Sequence, residues 1–333
     1  MKIMVFDVPA ESGGALSVLN DFYKEYSNDE KNEYIFVVSK PELKDTKNIK
    51  VLRFPWIKKS WFHRLYFDNF IAHKLVKKYE VGEILSLQNI IVPNCKCKQT
   101  VYVHNSIPFS EYRFSLRENK LLWIYQNVLS KLIFRSIEKA DKVIVQTNWM
   151  KNACIEKIKI DDKKVQVVSP KINLDIKKYY KNEKSDIKTF FYPASAVVFK
   201  NHKVIVNSCL ELKKQGFDNY RIIFTIKGNE NRYIKKLYDI CLSNNLPVEF
   251  IGDIDREAVL EYYNKSILIF SSYIETVGLP LIEAKKVGCP IIASDCNFAH
   301  EVLDNYEKSY FFNPFKYKEL CYFIKYFIRM SKE

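Results

Sequence analysis

The sequence lacks the features that mark secreted, membrane-spanning and zinc-stabilised proteins. It contains no run of about 18 apolar residues, so no bilayer-spanning helix is predicted. Its eight cysteines are scattered through apolar segments and no secretory leader is evident, which together favour a reducing cytosol. Cys95 and Cys97 form the only close pair in the sequence, and they lack the second Cys or His pair of a zinc finger. We interpret them as free thiols.

Motifs for cofactors and for repeats are missing as well. The glycine spacing is not the G-x-G-x-x-G of dinucleotide-binding proteins, which argues against a nicotinamide enzyme. No Asp-x-Asp metal motif occurs in a suitable loop, and no repeat of about 20 to 50 residues is evident. We therefore predict no cofactor and no required divalent ion.

Positive charge is abundant. The chain has 53 Lys and Arg against 39 Asp and Glu, a formal net charge of +14. Such an excess fits an anionic partner, and nucleic acid, an acidic membrane surface and a phosphorylated substrate all satisfy it. Because much of the excess reflects a Lys-rich composition, an ordinary solvated surface also explains it.

The arrangement of apolar segments predicts an α/β fold. Short β-branched or aromatic runs alternate with segments of helical period from end to end, which is typical of parallel sheets covered by helices. The predicted strands are residues 3–8, 34–39, 51–54, 83–87, 100–103 and 142–146, then 189–192, 221–226, 248–251, 267–270, 290–293 and 310–312. The clearest predicted helices of the first half are residues 16–26, 63–79 and 120–139.

The length of 333 residues favours two domains. The alternation pauses in the polar, Lys-rich stretch 161–188, which we interpret as the connection between them. We predict an N-terminal Rossmann-like domain at residues 1–170, a linker at 171–187, a C-terminal Rossmann-like domain at 188–314 and an amphipathic helix at 315–333 that docks on the protein. Ligands bind beyond the carboxyl ends of parallel strands, so two facing domains predict a cleft between them.

Residues 267–294 hold the most informative pattern, which reads strand, loop, helix, glycine and strand. Pro280 suits the first turn of the helix because its missing N–H would have no partner there, and Gly288 suits the position just past the end. The start of the helix exposes N–H groups, and together with the helix dipole these favour phosphate. Gly278 lets the backbone approach a ligand closely.

Two glutamates flank this helix start. Glu275 in the loop and Glu283 in the helix are eight residues apart, so both are expected to point toward whatever binds there. Two carboxylates beside a phosphate site suit hydroxyl groups, and a sugar nucleotide supplies both phosphate and hydroxyls. The alternative is that both glutamates only stabilise the helix N-terminus through its dipole.

The same segment resembles the donor-binding region of the family 4 retaining glycosyltransferases, which have the GT-B fold. Their signature is two glutamates separated by seven residues, followed by small and apolar residues and a Gly-x-Pro strand entry. Glu275, Glu283 and the Gly288-Cys289-Pro290 sequence match it in order and spacing. The resemblance implies two facing Rossmann-like domains with parallel sheets, and donor contacts from Thr276, Val277, Gly278 and Leu279.

Residues 191–202 resemble the family's loop after the first strand of the C-terminal domain, where a Lys contacts the donor diphosphate. Lys200 takes that role, with Asn201 beside it. Many members carry an Arg a few residues earlier, and Ala194 and Ser195 stand in that region here. Part of the usual cationic clamp is therefore missing.

The N-terminal half carries weaker signals. Gly13 and Gly14 follow the first predicted strand and match the family's N-terminal glycine loop, where backbone N–H groups approach a phosphate or the acceptor. A plain tight turn is the alternative. His104 follows the predicted strand 100–103 and stands where relatives carry a His that faces the sugar or the acceptor.

The resemblance implies transfer of a sugar from a nucleoside-diphosphate sugar to a glycan or lipid-linked acceptor, with retention of anomeric configuration and without a protein nucleophile. In that scheme Lys200 stabilises the leaving diphosphate, Glu275 holds the sugar hydroxyls and Glu283 holds the ribose. A place in surface polysaccharide or lipopolysaccharide assembly is the expectation. The alternatives are a sugar-nucleotide epimerase of the same fold and a basic nucleic-acid-binding protein, although no nucleic-acid module is evident.

Residues 53–67 mix Trp, Phe and Tyr with Lys and Arg, which suits the headgroup region of an anionic membrane. We therefore predict a cytoplasmic protein that docks peripherally on the inner face of the cell membrane. An amphipathic core helix with basic outer residues is the alternative.

Overall fold

The computed structural model describes residues 1–11, 13–170, 172, 174, 176–181, 185 and 187–330. The chain divides into two compact units, Met1–Pro170 and Lys171–Glu333. Each contains one parallel sheet with helices packed against it. Across the described residues, no helix is both long and apolar enough to span a bilayer.

The first unit contains a seven-stranded sheet. Its strands are β1 (Lys2–Asp7), β2 (Glu33–Val38), β3 (Ile49–Arg53), β4 (Glu83–Ser86), β5 (Lys98–Val103), β6 (Lys142–Val145) and β7 (Val165–Val167). The strand order is β3-β2-β1-β4-β5-β6-β7, and every pair is parallel. Ile3 is in register with Tyr34 on one side and Glu83 on the other. The order therefore reverses between β1 and β4.

The helices of the first unit include two interruptions that the sequence pattern does not predict. They are α1 (Gly13–Ser27), α2 (Trp61–Tyr66), α3 (Ala72–Lys78), α4 (Lys120–Ile124), α5 (Ser130–Lys139) and α6 (Asn148–Ile158). Phe67–Ile71 forms a π-helical turn between α2 and α3, and Tyr125–Leu129 forms another between α4 and α5. The predicted helices 63–79 and 120–139 thus exist, each with one wider turn that shifts the face its later residues present.

The second unit contains a six-stranded sheet. Its strands are β8 (Lys188–Tyr192), β9 (Tyr220–Phe224), β10 (Val248–Phe250), β11 (Ile267–Phe270), β12 (Ile291–Ser294) and β13 (Ser309–Phe312). All pairs are parallel in the order β10-β9-β8-β11-β12-β13. Every residue of β8 and β11 is buried, which explains why β11 and the second half of β8, Phe190 to Tyr192, are continuous apolar runs rather than alternating ones.

Six helices cover this second sheet among the described residues: α7 (His202–Lys214), α8 (Arg232–Ser243), α9 (Arg256–Lys265), α10 (Leu279–Val287), α11 (Asn297–Val302) and α12 (Tyr317–Met330). The last of these packs against α7, and Tyr317 O accepts a 2.9 Å hydrogen bond from Ser208 Oγ. Leu320, Ile324 and Phe327 of α12 are buried. This helix belongs to the second unit.

The connection between the units differs in part from the sequence prediction. Residues 165–167 lie in the polar stretch 161–188 that we interpreted as a connection, yet they form β7 and pair with β6. Only Val165 of this three-residue edge strand is buried, so the strand contributes little apolar sequence from which it could be predicted. Within the predicted linker 171–187, residues 171, 173, 175, 182–184 and 186 lie outside the described residues.

Candidate active site

The sheet of the second unit has a topological switch point between β8 and β11. The strand order reverses between β8 and β11, so the loops that leave their carboxyl ends run to opposite sides of the sheet. Such a switch point is where ligands bind in open parallel sheets. The loop after β8 carries Lys200, and the loop after β11 carries Glu275 and leads into α10.

Buried hydroxyl groups fix the backbone of Lys200. Residues Val198–Lys200 form a short 3-10 turn, and Asn201 has a left-handed φ of 60° that redirects the chain into α7. Lys200 O accepts hydrogen bonds from Tyr192 Oη at 2.6 Å and from Ser271 Oγ at 2.9 Å. Ser271 is fully buried and follows β11 directly, so the two loops at the switch point are joined. Lys200 therefore has a defined position before any ligand binds.

Lys200 Nζ forms an ion pair with Glu275 Oε1. The two side chains are only 19% and 15% exposed, so the ion pair is largely shielded from solvent. A phosphate oxygen can replace the carboxylate as the partner of the ammonium group, because both are anionic acceptors. Glu275 would then be free to accept hydrogen bonds from hydroxyl groups.

The N-terminus of α10 lies directly after this pair in the chain. Gly278 precedes the helix with φ of 78°, and within the described structure no side chain caps it. Leu281 N donates to Gly278 O at 2.9 Å, and Pro280 has no N–H. The side chain of Val277 is buried, so this residue can meet a ligand only through its backbone. An anion placed at the start of α10 would meet the positive end of the helix dipole.

Glu283 follows in the same helix, about 6 Å along the axis from Leu279. Its Oε1 accepts a 3.0 Å hydrogen bond from Arg256 Nη2, and its Oε2 lies 3.4 Å from Tyr263 Oη. Burial raises the pKa of Glu283, while the charge of Arg256 and both hydrogen bonds lower it. Arg256 was not predicted from the sequence as a site residue. The available clue was a basic residue at the first position of a helix, where the dipole favours an acidic one.

Asn201 has a structural contact of its own. Its Nδ2 donates to Pro314 O at 2.7 Å, which holds the loop after β8 against the segment that precedes α12. The predicted role of Asn201 in donor binding stays a prediction, and its backbone is the part that adjoins Lys200.

His104 lies in the first unit, directly after β5. Its backbone N–H donates to Asn89 Oδ1 at 2.8 Å, and its Nδ1 has no hydrogen-bond partner among the described residues. Burial lowers the pKa of His104 to about 4, so the imidazole is neutral near pH 7. The side chain therefore does not supply positive charge near pH 7.

Gly13 and Gly14 form the first turn of α1 in the first unit, after Ser12, which lies outside the described residues. Gly13 has φ of 60°. A Cβ atom added at either glycine would meet no described atom within 4 Å, so the space beside this backbone is open. The predicted approach of a ligand to this turn stays a prediction.

No group of three or more His, Cys, Asp and Glu residues is placed to hold a metal ion in the described part of the chain. The single Asp-x-Asp sequence is Asp253-Ile254-Asp255, and Asp255 Oδ1 accepts the N–H of Ala258 as the cap of α9. Cys95 and Cys97 are half-buried free thiols, and burial raises the pKa of Cys95 to about 11.

Comparison with known proteins connects this site to a family. Residues 175–333 match the model of the group 1 glycosyl transferases, and they include the whole of the site in the second unit. A curated relative is the O-antigen chain mannosyltransferase RfbU of Salmonella typhimurium, with 23% identity over 242 residues. The matched region covers 72% of this chain and 64% of the relative, which is less than two thirds of its length.

Solved structures resemble the whole chain. The lipopolysaccharide outer core galactosyltransferase WaaB matches with a TM-score of 0.71 and 15% identity, over 100% of this chain and 92% of that one. Anabaena HepE in complex with UDP and glucose matches with a TM-score of 0.69 and 16% identity, over 100% and 91%. At these identities the likeness shows the fold alone. Residues 175–333 are thus similar to the group 1 glycosyl transferases, and the two Rossmann-like units of the chain have the GT-B fold.

Proposed function

We propose that this chain is a hexosyltransferase that moves a sugar from a nucleoside-diphosphate sugar to a glycan or lipid-linked acceptor, in the assembly of surface polysaccharide or lipopolysaccharide. The match of residues 175–333 to the group 1 glycosyl transferase model supports the reaction class. The relatives support the setting, since RfbU is an O-antigen chain mannosyltransferase and WaaB a lipopolysaccharide outer core galactosyltransferase. HepE binds UDP and glucose, which supports a nucleotide-sugar donor.

The ion pair of Lys200 with Glu275 carries this proposal. When the glycosidic bond of the donor breaks, negative charge develops on the departing diphosphate oxygen. Lys200 and the N–H groups at the start of α10 stabilise that charge, while Glu275 accepts hydrogen bonds from the sugar hydroxyls. Glu283 accepts from the ribose. When the donor binds, Lys200 and Glu275 can exchange their ion pair for separate contacts, Lys200 to the diphosphate and Glu275 to the sugar. This exchange suits the proposed chemistry.

We propose that the transfer retains the anomeric configuration. The acceptor oxygen attacks from the face that the diphosphate leaves, so the bond from the anomeric carbon to the diphosphate breaks as the bond to the acceptor forms. A diphosphate oxygen takes the acceptor proton. The family resemblance supports this route, in which Glu275 accepts hydrogen bonds from the sugar hydroxyls and does not attack the anomeric carbon. In this scheme a neutral His104 hydrogen-bonds the sugar or the acceptor.

We further propose that the first unit docks on an anionic membrane, which would place the enzyme peripherally on the inner face of the cell membrane. Trp61 and Phe62 at the start of α2 are 59% and 83% exposed. Leu65, Tyr66 and Phe70 in the same segment are also exposed, and Lys58 and Lys59 precede it. Exposed aromatic side chains beside lysines suit insertion among anionic headgroups.

A nucleotide screen tests the reaction class. Wild type and Glu283→Ala are titrated with UDP, GDP and dTDP, and hydrolysis of the matching sugar nucleotides is measured. We expect wild type to bind a subset of these and the variant to bind at least about 10-fold more weakly, because the ribose loses a charged acceptor. If no nucleoside diphosphate binds wild type and a nucleic acid binds tightly at physiological salt, the proposal is wrong.

A substitution at the helix start tests the phosphate position. Gly278→Ala places a Cβ atom 3.2 Å from Leu281 Cδ1 and 3.4 Å from Phe270 Cζ, at a φ that disfavours side chains. We expect a loss of about 1 kcal/mol of stability from the φ value alone and about a 5-fold weaker affinity for the diphosphate because the first turn shifts. Thermal unfolding and nucleotide titration measure the two effects.

Gly216→Ala is the matched control, because Gly216 has φ of 77° and no described atom within 4 Å of the added Cβ. It follows the C-terminus of α7, whereas the switch point adjoins the N-terminus of that helix. Equal losses of nucleotide affinity in both variants would show that α10 does not bind the phosphate.

A further inference from the structure

Arg256 contacts the candidate donor site through one nitrogen of its guanidinium group, and much of its side chain is exposed to solvent. Its Nη2 donates to Glu283 Oε1 at 3.0 Å, and Glu283 is only 12% exposed whereas Arg256 is 58% exposed. A guanidinium group has five N–H donors in a fixed plane. The pair with Glu283 fixes the orientation of that plane and leaves further donors directed to solvent.

Arg256 is close to the position proposed for the ribose. The start of α10 suits the diphosphate, and Glu283 lies about 6 Å further along that helix, within reach of a ribose. Arg256 contacts Glu283 from the first turn of α9. In a nucleoside diphosphate the base is attached to the ribose, so a base on a ribose held by Glu283 is within reach of this guanidinium group.

Glu283 can keep Arg256 and still hold a ribose. A carboxylate has about four acceptor positions on its two oxygens. Oε1 is used by Arg256, and Oε2 has only the distant hydroxyl of Tyr263, at 3.4 Å. Ribose hydroxyls can donate to the positions that remain, so binding does not require Arg256 to leave.

We propose, on the basis of the function proposed above, that Arg256 recognises the nucleobase of the donor and selects guanine. The guanidinium group can only donate hydrogen bonds, so it requires a base edge that presents acceptors. Guanine presents O6 and N7 side by side and accepts both donors of an arginine, whereas adenine places an amino group beside its N7. Uracil has an N–H between its two carbonyl oxygens, so a guanidinium group can reach them only one at a time. Cytosine has the adjacent acceptors O2 and N3, but its O2 lies next to the bond to the ribose, whereas O6 and N7 of guanine lie on the edge of the base away from the ribose. The donor class is thus a guanosine-diphosphate sugar.

Isothermal titration calorimetry of the full chain with GDP, CDP, UDP and ADP tests this assignment. We expect wild type to bind GDP about 10-fold more tightly than CDP, UDP or ADP, and Arg256→Ala to lose that preference while its affinity for UDP changes by less than about 3-fold. Arg256→Lys keeps the charge without the planar fork, so it is expected to lose the preference as well. Arg221→Ala is the control, since Arg221 is a similarly exposed arginine of the same unit and pairs with Glu249.

The readout is the ratio of the GDP and UDP affinities, which a purely structural role of Arg256 would not change. A wild-type preference for CDP, UDP or ADP overturns the proposal, and so does an equal loss of GDP and UDP affinity in Arg256→Ala, which would show that Arg256 only positions Glu283. Failure of the underlying function gives a different result, because then no nucleoside diphosphate binds the wild-type chain.

Discussion

Replacing Lys200 with alanine is expected to lower kcat by about 10²- to 10³-fold. Among the described residues, Lys200 is the only lysine or arginine that forms an ion pair with Glu275 at the switch point. Removing one group that stabilises developing negative charge typically costs this much. The absence of the family's second cation, at Ala194 and Ser195, leaves Lys200 without a substitute there. Steady-state kinetics with the nucleotide sugar identified by the screen give the measurement.

Lys203→Ala is the matched control, because Lys203 is an exposed lysine in the first turn of α7, only three residues away. It should keep wild-type kcat. Thermal unfolding of both variants separates a loss of chemistry from a loss of folding, since Lys200→Ala leaves the half-buried Glu275 without its cation. A Lys200→Ala variant that folds and keeps more than a tenth of wild-type kcat contradicts the assigned role.

The double substitution Trp61→Ser with Phe62→Ser is expected to reduce binding to anionic vesicles by about 100-fold. Burial of each aromatic side chain in an apolar region stabilises by about 1.5 to 3 kcal/mol, so the loss of two amounts to at least about 3 kcal/mol. Both side chains are exposed and contribute little to the core, so the fold should persist. Co-sedimentation with vesicles of phosphatidylglycerol and phosphatidylcholine at physiological salt measures the change.

The control here is Leu242→Ser with Tyr322→Ser, two side chains of the second unit that are 59% and 61% exposed. They remove a similar exposed apolar surface and should leave vesicle binding unchanged. Wild-type protein that stays in the supernatant with anionic vesicles, or equal losses in both double variants, would argue against a docking segment on α2.

Much of the fold follows from local sequence signals. Parallel strands buried on both faces are continuous apolar runs, which is why β8 and β11 were predicted to within one residue. The helix α10 was predictable because Pro280 and Gly288 mark its ends, and they do so in the structure. The same local logic led to Lys200 and Glu275, which the structure brings into direct contact.

What the sequence could not predict depends on distant residues. The contact of Arg256 with Glu283 joins positions 27 residues apart and exists only because α9 packs on α10. The π-helical turns at Phe67–Ile71 and Tyr125–Leu129 add one residue to a turn without interrupting the apolar periodicity enough to be visible. The strand β7 has too few apolar residues to stand out from the polar stretch around it.

The packing of α12 on α7 has a consequence for how chains of this architecture can exchange parts. Because that final helix stays with the second unit, the proposed donor residues Lys200, Glu275 and Glu283 lie in one uninterrupted half of the chain. A single genetic crossover near residue 170 would therefore exchange the first unit between related genes and leave these three residues together. Chimaeras made at that position are expected to inherit their donor from one parent and their acceptor from the other.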